Sequence, residues 1–418
     1  MAPVKVPFRI LILTSSYPLP QMPYAGPFVK TWAQATADAG CEVLVLTMSE
    51  DAHVHHYRES RNLEVVAYPY TKLIGPRLHS SGGMVDSVRG NRLAKIQLIS
   101  YFLASVFYLA RYVREWKPHV IQANFLIPAG FIAAMMKPIT RRPLLVNAWG
   151  TELTLESSPL YDSVLRFVQK NADMLAIISK DMRRLAEKHG LDAACMVLVP
   201  SAVDSNRFAP LEIREQSGMI IIGIVKRLIK EKCVDDAIQA VAKLGSQDRK
   251  RMRLRIVGNG PERDRLKRMA EQLNVSQLTE FVGSIRYEKL VEEYRRMDIG
   301  INPSAFEGGT STSMLEMMAC RVPVISVRAA GNDEIITDGE TGLFYDCGDL
   351  DGLARQISRL INDRNLRLRL GLSGRAHVET HFSTKAVGEL YLACCRRIVA
   401  RSALEKQQLW TSEPFSTA

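Results

Sequence analysis

The sequence predicts an α/β protein with two doubly wound domains, and three features lead to that fold class. Apolar runs of strand length alternate with helical segments along most of the chain, which is typical of parallel sheets whose strands are joined by helices. A second series of the same kind starts at 219–225. Between the two series, the polar, proline-bounded segment 200–210 is typical of a linker. We therefore expect domains at 1–205 and 206–384, followed by a last helix within 385–418.

The length and composition exclude several classes of protein. A chain of 418 residues, 47% hydrophobic and 24% charged, can build two full cores and matches soluble globular proteins. Its seven cysteines form no C-x-x-C pair, so we expect reduced thiols and a cytoplasmic location. No cluster of metal ligands occurs, and we expect neither a metal nor another cofactor. The net charge of +11 suits phosphorylated substrates or an anionic membrane, whereas no nucleic-acid-binding motif is present.

The first domain opens with a strand, a loop and a helix. Residues 9–14 are an apolar run of buried-strand length, and no signal peptide is expected before them. A helix is expected over 28–39 and a second strand at 42–47. The loop between strand and helix contains Gly26, where a backbone could approach a phosphate closely. A simple turn explains Gly26 at least as well. The polar stretch 53–56, with three histidines, is expected to be a solvated loop.

The most apolar segment of the chain, 96–113, is expected to be a helix. It is slightly short to span a bilayer and contains polar residues, so a buried or half-buried helix is favoured over a transmembrane one. Basic residues flank the segment on both sides, which fits docking on an anionic membrane face. A core helix with solvated ends is the favoured alternative. The flanking residues are Arg89, Arg92, Lys95, Arg111, Arg114 and Lys117.

The remaining elements continue the alternation of strands and helices in both domains. Further strands are expected at 119–123, 144–148, 174–179, 253–257, 278–282, 298–302 and 322–326. Further helices are expected at 180–188, 234–244, 261–273, 287–297, 313–320 and 384–407.

Four cations follow the first strand of the second domain within seven residues. Lys226, Arg227, Lys230 and Lys232 stand at the carboxyl end of that strand, just before a helix. Arginine can grip two phosphate oxygens at once, and lysine adds a compact positive charge, so the segment suits a diphosphate. A solvated basic turn is the alternative.

Residues 302–326 combine a strand end, a glycine-rich turn and a helix. Glu307 precedes Gly308 and Gly309, and Glu316 lies inside the helix that follows. Glycines let a backbone approach a ligand, a helix start offers N–H groups to an anion, and carboxylates accept hydrogen bonds from sugar hydroxyls. The pattern therefore indicates a sugar attached to phosphate. An ordinary strand–helix connection is the alternative.

Taken in order, these motifs resemble the family 4 retaining glycosyltransferases of the GT-B fold. The resemblance rests on Arg227-Leu228 with Glu231-Lys232, GNGPERDRL at 258–266, FVGSI at 281–285, the paired glutamates, and GNDEIITDGETGLFYDCGD at 331–349. It covers about residues 9–390. It implies two Rossmann-like domains that face a cleft, an acceptor-side first domain, a nucleotide-sugar-binding second domain, and a last helix that crosses back to the first.

The resemblance also implies roles for particular residues. Arg227 and Lys232 would neutralise the departing diphosphate in place of a metal, and Glu316 would bind the ribose hydroxyls. Glu307 and the backbone of Gly308, Gly309 and Thr310 would hold the donor sugar. The nucleotide base would lie against Gly283, Ser284 and Ile285, and Gly26 would approach the donor from the first domain.

Several positions depart from the family pattern. The two glutamates are nine residues apart instead of eight, so the turn between them must absorb one extra residue. Lys226, Cys233 and Arg321 stand where the family usually has glycine. Trp149 and Asn124 stand where the family often has histidine.

The expected function is transfer of a hexose, with retention, from a UDP- or GDP-linked sugar to a glycan or lipid-linked acceptor in envelope or capsular polysaccharide biosynthesis. The enzyme would be metal-independent, cytoplasmic and peripheral on the inner face of the plasma membrane. Two alternatives stay open. Trp149 and the missing glycines favour a catalytically impaired protein that binds nucleotide sugars, and a nucleotide-sugar 2-epimerase would share the two-domain cleft.

Overall fold

A computed structural model of the chain describes most of the sequence. The described residues are 7–22, 25–49, 51–71, 78, 92–150, 152–211, 218–304, 310–329 and 331–411, with side chains up to 404. They form two compact units, one of Met1–Val199 with Val387–Ala418 and one of Pro200–Ala386. The domain boundaries predicted from the sequence lie at 205–206 and 384–385, close to these limits.

The first unit is built on an eight-stranded sheet among the described residues, in the order β3-β4-β2-β1-β5-β6-β7-β8. All neighbouring strands are parallel except the β3–β4 pair. The strands are β1 (Phe8–Leu13), β2 (Cys41–Ser49), β3 (His55–Ser60), β4 (Leu63–Pro69), β5 (Val120–Asn124), β6 (Leu144–Ala148), β7 (Met174–Ile177) and β8 (Met196–Leu198). Its helices are α1 (Pro27–Asp38), α2 (Arg92–Trp116), α3 (Phe131–Thr140), α4 (Pro159–Asn171) and α5 (Lys180–Lys188).

The second unit has a six-stranded, fully parallel sheet in the order β11-β10-β9-β12-β13-β14. The strands are β9 (Ile220–Val225), β10 (Met252–Val257), β11 (Thr279–Gly283), β12 (Ile299–Asn302), β13 (Val324–Val327) and β14 (Leu343–Tyr345). The helices are α6 (Val234–Lys243), α7 (Ser246–Lys250), α8 (Arg263–Gln272), α9 (Leu290–Arg296), α10 (Thr312–Ala319), α11 (Leu350–Asn362) and α12 (Arg364–His381). The last helix, α13 (Thr384–Thr411), belongs to the first unit from Val387 onward.

Both sheets reverse their strand order at one point, between β1 and β5 and between β9 and β12. Open α/β sheets bind ligands at the carboxyl ends of the strands on either side of such a reversal. The central strands are apolar because helices cover both faces of a parallel sheet. In the second unit, this packing depends on glycine. A Cβ on Gly223 would lie 2.1 Å from the sulfur of Met297, and one on Gly300 would lie 2.4 Å from that of Met317.

One loop prediction was wrong and one helix prediction needs refinement. In the stretch 53–56, His53 is exposed in a bend, as expected, but His55 and His56 begin β3, an antiparallel edge strand, and are not in a solvated loop. Exposed and half-buried residues alternate along β3, as is common in an edge strand. Because the strand is polar, no run of apolar residues marks it in the sequence. Helix α2 is half-buried, as expected, but the buried face includes Gln97, Tyr101 and Ser105.

Candidate active site

The carboxyl ends of β9 and β12 bring together a buried polar network in the second unit. Lys226 follows β9 directly, and its ammonium donates a hydrogen bond to Ser311 Oγ at 2.9 Å. Ser311 Oγ lies 3.5 Å from Asn302 Oδ1, and Asn302 Nδ2 donates to Ser326 Oγ at 3.1 Å and to Asn332 Oδ1 at 3.3 Å. All five residues are buried. We call this group the Asn302 network, and it links β9, β12, β13 and the start of α10 at the reversal point.

The sequence analysis counted Lys226 among four phosphate-binding cations, and the structure separates it from the others. Lys226 is buried in the network, whereas Arg227 and Lys230 are exposed and Lys232 is half-buried on the connection from β9 to α6. Arg227 and Lys232 therefore lie on one connection at the carboxyl edge of the sheet. Arginine and lysine at such an edge can hold a diphosphate.

Glu316 lies inside α10 and is almost fully buried, at 5% exposure. The hydroxyl of Tyr294 donates to Glu316 Oε2 at 2.6 Å. Burial raises the pKa of Glu316 to about 7, although hydrogen bonds from Tyr294 and Tyr287 and the charges of Arg207 and Lys226 act in the opposite direction. The carboxyl group is thus held close to the point where it gains or loses its proton at neutral pH. Its predicted role at the ribose stays a prediction.

The base-binding residues predicted at the end of β11 also lie at this edge. Gly283 ends β11 with φ +88°, and a Cβ there would meet open space. The backbone of Gly258, after β10, joins the two neighbouring strands: its N–H donates to Gly283 O at 2.8 Å, and its Cα packs against Lys226 O so closely that a Cβ would lie at 1.9 Å. Ser284 is exposed and Ile285 half-buried just beyond.

Three predicted donor residues, Glu307, Gly308 and Gly309, lie outside the described residues. Thr310 is half-buried before α10. In the first unit, Gly26 has φ +62° and a Cβ there would lie 2.8 Å from both oxygens of Ser16. The turn before α1 therefore requires glycine at 26, and a contact of Gly26 with the donor stays a prediction.

A second buried polar network lies at the carboxyl ends of β5 and β6 in the first unit. Asn124 Oδ1 accepts hydrogen bonds from Gln122 Nε2 at 3.3 Å, Asn147 Nδ2 at 3.1 Å and Trp149 Nε1 at 3.1 Å. Within the described residues, Asn124 Nδ2, Gln122 Oε1 and Asn147 Oδ1 have no hydrogen-bond partner. Buried polar atoms of this kind need water or a ligand hydroxyl. We call this group the Asn124 network.

Trp149, which the sequence resemblance places at a histidine position, is packed into an aromatic cluster. Its ring centroid lies 4.7 Å from that of Phe28 and 5.3 Å from that of Trp32. Trp32 in turn packs edge-on against Tyr391 of α13 at 5.2 Å. Trp149 is 8% exposed, and its indole N–H donates to Asn124 Oδ1. The side chain is therefore a buried member of the Asn124 network.

Glu152 holds the loops that follow β5 and β6. Its Oε1 accepts the backbone N–H groups of Leu126 at 3.3 Å and Trp149 at 3.1 Å. Burial raises the pKa of Glu152, and these backbone hydrogen bonds oppose the shift. Oε2 has no partner among the described residues.

The sequence is similar to glycosyltransferases in both halves. Residues 25–202 match the glycosyl transferase 4-like domain, and residues 208–377 match glycosyl transferases group 1. A GDP-mannose-dependent alpha-(1-6)-phosphatidylinositol monomannoside mannosyltransferase of Mycolicibacterium smegmatis is 30% identical over 264 residues, which are 58% of this chain and 68% of the relative. The chain is a family 4 glycosyltransferase of the GT-B fold.

Other relatives and solved structures extend this similarity to nearly the whole chain. A GDP-mannose-dependent monoacylated alpha-(1-6)-phosphatidylinositol monomannoside mannosyltransferase of Corynebacterium glutamicum is 25% identical over 91% of this chain and 96% of its own. Sucrose-phosphate synthase of Thermosynechococcus elongatus has the same fold, with a TM-score of 0.73 at 19% identity over 94% of this chain and all of its own. The predicted family and fold are therefore confirmed, and the protein transfers a sugar from a nucleotide sugar.

Two positions that the resemblance places at glycines of the family have strained backbones: Cys233 and Arg321 have φ +47° and +60°. Side chains disfavour this left-handed region by about 1 kcal/mol or more. Glycine would adopt the same backbone without that cost.

The Asn302 network is the part of the site that sequence reasoning missed. Asn302, Ser311 and Asn332 lie within the stretches 302–326 and 331–349 that the sequence singled out, but none of the three was predicted as a site residue. The position of Asn302 could have been used as a signal, because it is a polar residue at the end of an apolar strand. Side chains at such positions can contact those at the ends of neighbouring strands. Among the described residues, no group of three or more His, Cys, Asp or Glu side chains could hold a metal ion.

Proposed function

We propose that this glycosyltransferase transfers a hexose, with retention and without a metal ion, from a nucleotide diphosphate sugar to a glycan or lipid-linked acceptor of envelope or capsular polysaccharide biosynthesis. The observation that carries the proposal is the cationic β9–α6 connection with Arg227 and Lys232, placed beside the Asn302 network at the reversal point of the second sheet. Cations fixed where negative charge develops stabilise a transition state in place of a metal ion.

In this reaction the bond between the sugar's anomeric carbon and the diphosphate oxygen breaks. The acceptor oxygen forms its bond on the same face, and its proton passes to the leaving phosphate. Arg227 and Lys232 would balance the charge that builds up on the diphosphate. Glu316 would accept hydrogen bonds from the ribose, and Glu307 with Gly308 and Gly309 would hold the hexose.

The names of the relatives decide which donors to test first. The two mannosyltransferases are named as GDP-mannose-dependent, whereas Anabaena HepE was crystallised with UDP-glucose. The purified protein should be incubated with GDP-mannose, UDP-glucose and UDP-galactose, with and without EDTA, and the anomeric configuration of any product read by NMR. Retention and unchanged turnover in EDTA are expected. An inverted product, or activity that returns only with Mg²⁺ or Mn²⁺, would contradict the proposed mechanism.

The two alternatives from the sequence give different results in the same assay. A nucleotide-sugar 2-epimerase would convert the donor without an acceptor. An activity of this kind would not be a sugar transfer, and so it is not what the family assignment leads us to expect. A catalytically impaired protein would bind the nucleotide sugar and leave it unchanged at every acceptor tested.

An anionic membrane surface is the proposed location of the acceptor, and α2 carries the argument. This helix is long and apolar enough to cross a membrane by length and composition, and 28% of its most apolar window is buried. The residues of α2 that are buried against the protein recur at about every fourth position. On the other face, four large apolar side chains are 60–64% exposed: Ile96, Ile99, Leu103 and Phe107. Arg92, Lys95, Arg111 and Arg114 lie at the ends of the same helix. An exposed apolar stripe with basic ends suits the interface of an anionic bilayer.

Vesicle sedimentation tests this location. The double variant Ile99→Ser/Leu103→Ser should lose binding to vesicles that contain anionic lipid, while Leu372→Ser, a change at a 53% exposed leucine of α12, should bind as the unaltered protein does. High salt should weaken binding of the unaltered protein. Equal binding to neutral vesicles, or no binding to either kind, would reject the membrane location.

A further inference from the structure

His189 is a buried histidine at the end of α5 in the first unit, and both of its ring nitrogens face oxygen acceptors. Nδ1 lies 2.7 Å from Asp162 Oδ1 of α4, and Nε2 lies 3.1 Å from the carbonyl oxygen of Leu153, in the connection from β6 to α4. The histidine is 4% exposed. A ring turned over would place carbon atoms against both oxygens, so the two contacts fix its orientation. We call these three residues the His189 clamp.

The contacts of the His189 clamp determine where its protons are. The carbonyl oxygen of Leu153 only accepts hydrogen bonds, so Nε2 must carry a proton. Hydrogen bonds from Ser157 and His189 hold the pKa of Asp162 below its usual value, so Asp162 is a carboxylate and also only accepts. Nδ1 must then carry a proton as well, whereas a neutral imidazole has one N–H group. The geometry therefore requires His189 to be an imidazolium ion.

The charged and titratable side chains near the imidazole come from the β6–α4 connection, from α4 and from α5. Asp162 is in direct contact with it, and the ring of Tyr161 packs edge-on at 5.8 Å. A Cβ on Gly190 would lie 3.1 Å from Arg166 Nη1, so this guanidinium is close enough to oppose the imidazolium charge. Thr151 of the connection lies outside the described residues and is uncharged. The charged and titratable residues are Glu152, Tyr161, Asp162, Arg166, Glu187 and Lys188.

Two successive backbone carbonyls of the β6–α4 connection are held by side chains of α4 and α5. The carbonyl of Glu152 accepts the hydroxyl of Tyr161 at 2.6 Å, and the carbonyl of Leu153 accepts the ring of His189. The carboxyl group of Glu152 is thereby placed where it accepts the backbone N–H of Trp149 at 3.1 Å. Trp149 follows β6 in the candidate site, so His189 acts on that site through Glu152.

We propose that His189 is a positioning residue for sugar transfer, which fixes Leu153 and Glu152 only while both of its nitrogens carry protons. A neutral imidazole donates to one acceptor at a time. The bond to the carboxylate is the shorter one and is charge-assisted, so the bond to the carbonyl of Leu153 is lost first. Leu153 is 1% exposed, and its unpaired carbonyl then favours a looser connection. The connection is therefore held at low pH and released as the pH rises through the titration of His189.

His119 of the same unit is a histidine with the opposite arrangement. Its Nδ1 accepts the backbone N–H of Arg9 at 2.9 Å, so this nitrogen carries no proton. Burial lowers the pKa of His119, and the charges of Arg142 and Arg9 act in the same direction. A change at His119 removes a neutral imidazole, and His119→Gln is the matched control for a change at His189.

Hydrogen exchange of the full chain, followed by mass spectrometry, tests the proposal. After correction for intrinsic exchange rates, protection of the peptide that contains Glu152 and Leu153 should fall about three- to tenfold between about pH 6 and about pH 9, because one hydrogen bond is lost. The fall should follow the titration of the His189 ring, read by NMR in the same protein. His119→Gln should show the same fall. Equal protection at both pH values would overturn the proposal.

Two variants separate the proton on His189 from the packing around it. His189→Gln cannot donate to both acceptors, so protection should be low at every pH. In Asp162→Asn, the amide can donate to an unprotonated Nδ1, so a neutral His189 still holds the carbonyl of Leu153 and protection should persist at high pH. A fall in Asp162→Asn equal to that of the unaltered protein would overturn the proposal, whether or not His189→Gln folds.

Turnover of the sugar donor tests the positioning role itself. The ratio of kcat/KM in Asp162→Asn to that in the unaltered protein should increase as the pH rises through the titration of His189. A constant ratio would overturn the positioning role. The exchange experiment needs no donor or acceptor, so a failure to transfer hexose would contradict the proposed function and leave the exchange result as the test of the His189 clamp.

Discussion

The two buried networks have an asparagine at the same place in the strand order, and they differ in what surrounds it. Asn124 ends β5, which lies next to β1, and Asn302 ends β12, which lies next to β9. The oxygen of Asn124 accepts three hydrogen bonds from neutral amide and indole groups. Asn302 donates two hydrogen bonds and lies beside a hydroxyl group that binds the ammonium of Lys226.

The difference shows that topology places a site and the side chains decide its chemistry. A parallel sheet with a reversal point brings strand ends together in both units. In the first unit, neutral groups and unpartnered polar atoms suit sugar hydroxyls. In the second, an ammonium group and the neighbouring cations suit a diphosphate. Four predictions test this contrast.

The largest effect is expected from removing the cations of the second unit. Arg227→Ala or Lys232→Ala should lower kcat/KM for the sugar donor roughly 30- to 1,000-fold, because the leaving diphosphate loses a cation. This factor corresponds to a loss of about 2–4 kcal/mol in transition-state stabilisation. Steady-state kinetics measures the change. Lys230→Ala, on the same turn and exposed, is the control. Activity within threefold of the unaltered protein in both variants would contradict the proposal that Arg227 and Lys232 bind the diphosphate.

The next effect separates the two buried glutamates by pH. The pKa of Glu316 is raised from 4.5 to about 7, so the folded state holds its proton more tightly than the unfolded state. Stability from this group is full below about pH 4.5 and falls as the pH rises to 7, by about 3 kcal/mol in total. Glu316→Gln should abolish that slope in a series of urea unfolding curves.

Glu152→Gln is the matched change in the first unit. Its amide oxygen can still accept the backbone N–H groups of Leu126 and Trp149, so it should remove the pH dependence that comes from Glu152 with little loss of stability at low pH. The same slope in unaltered protein and Glu316→Gln would show that Glu316 is not the titrating group. If Glu316 binds the ribose as an ion, affinity for the nucleoside diphosphate should rise from pH 6 to 8 and lose this dependence in Glu316→Gln.

A smaller effect distinguishes the two asparagines. Asn124→Asp would bury a carboxylate among neutral groups, whereas a carboxylate at 302 would lie near the ammonium of Lys226, which bonds to Ser311. Asn124→Asp should therefore destabilise the protein more than Asn302→Asp, by about 1–2 kcal/mol. Urea unfolding of both variants gives the difference. The opposite order would mean that the networks have been misassigned.

The smallest effect is expected at Cys233. Its left-handed backbone, φ +47°, should favour glycine, so Cys233→Gly should increase stability by about 1 kcal/mol. Cys195→Gly, at an exposed cysteine in a short helical turn without positive φ, should lower stability slightly. Thermal unfolding compares the two. A loss of stability in Cys233→Gly would show that the thiol contributes more than the backbone strain costs.

The sequence by itself determined the alternation of strands and helices and the position of the basic segment that we propose to bind a diphosphate. Buried parallel strands are continuous apolar runs, which are visible in a short window of sequence. Cations clustered after such a run are visible in the same way, and so Arg227 and Lys232 could be named before any contact was known. Polar edge strands such as β3 carry no such signal.

Only the tertiary structure decided which of those side chains are buried and what they contact. Lys226 reaches Ser311, 85 residues further along the chain, and Tyr294 covers Glu316 from a different helix. The apolar stripe of α2 is exposed because the opposite face, with Gln97, Tyr101 and Ser105, is the one that packs on the sheet. Each outcome depends on neighbours that are distant in sequence, because burial and pKa are properties of the packed surroundings and not of the residue alone.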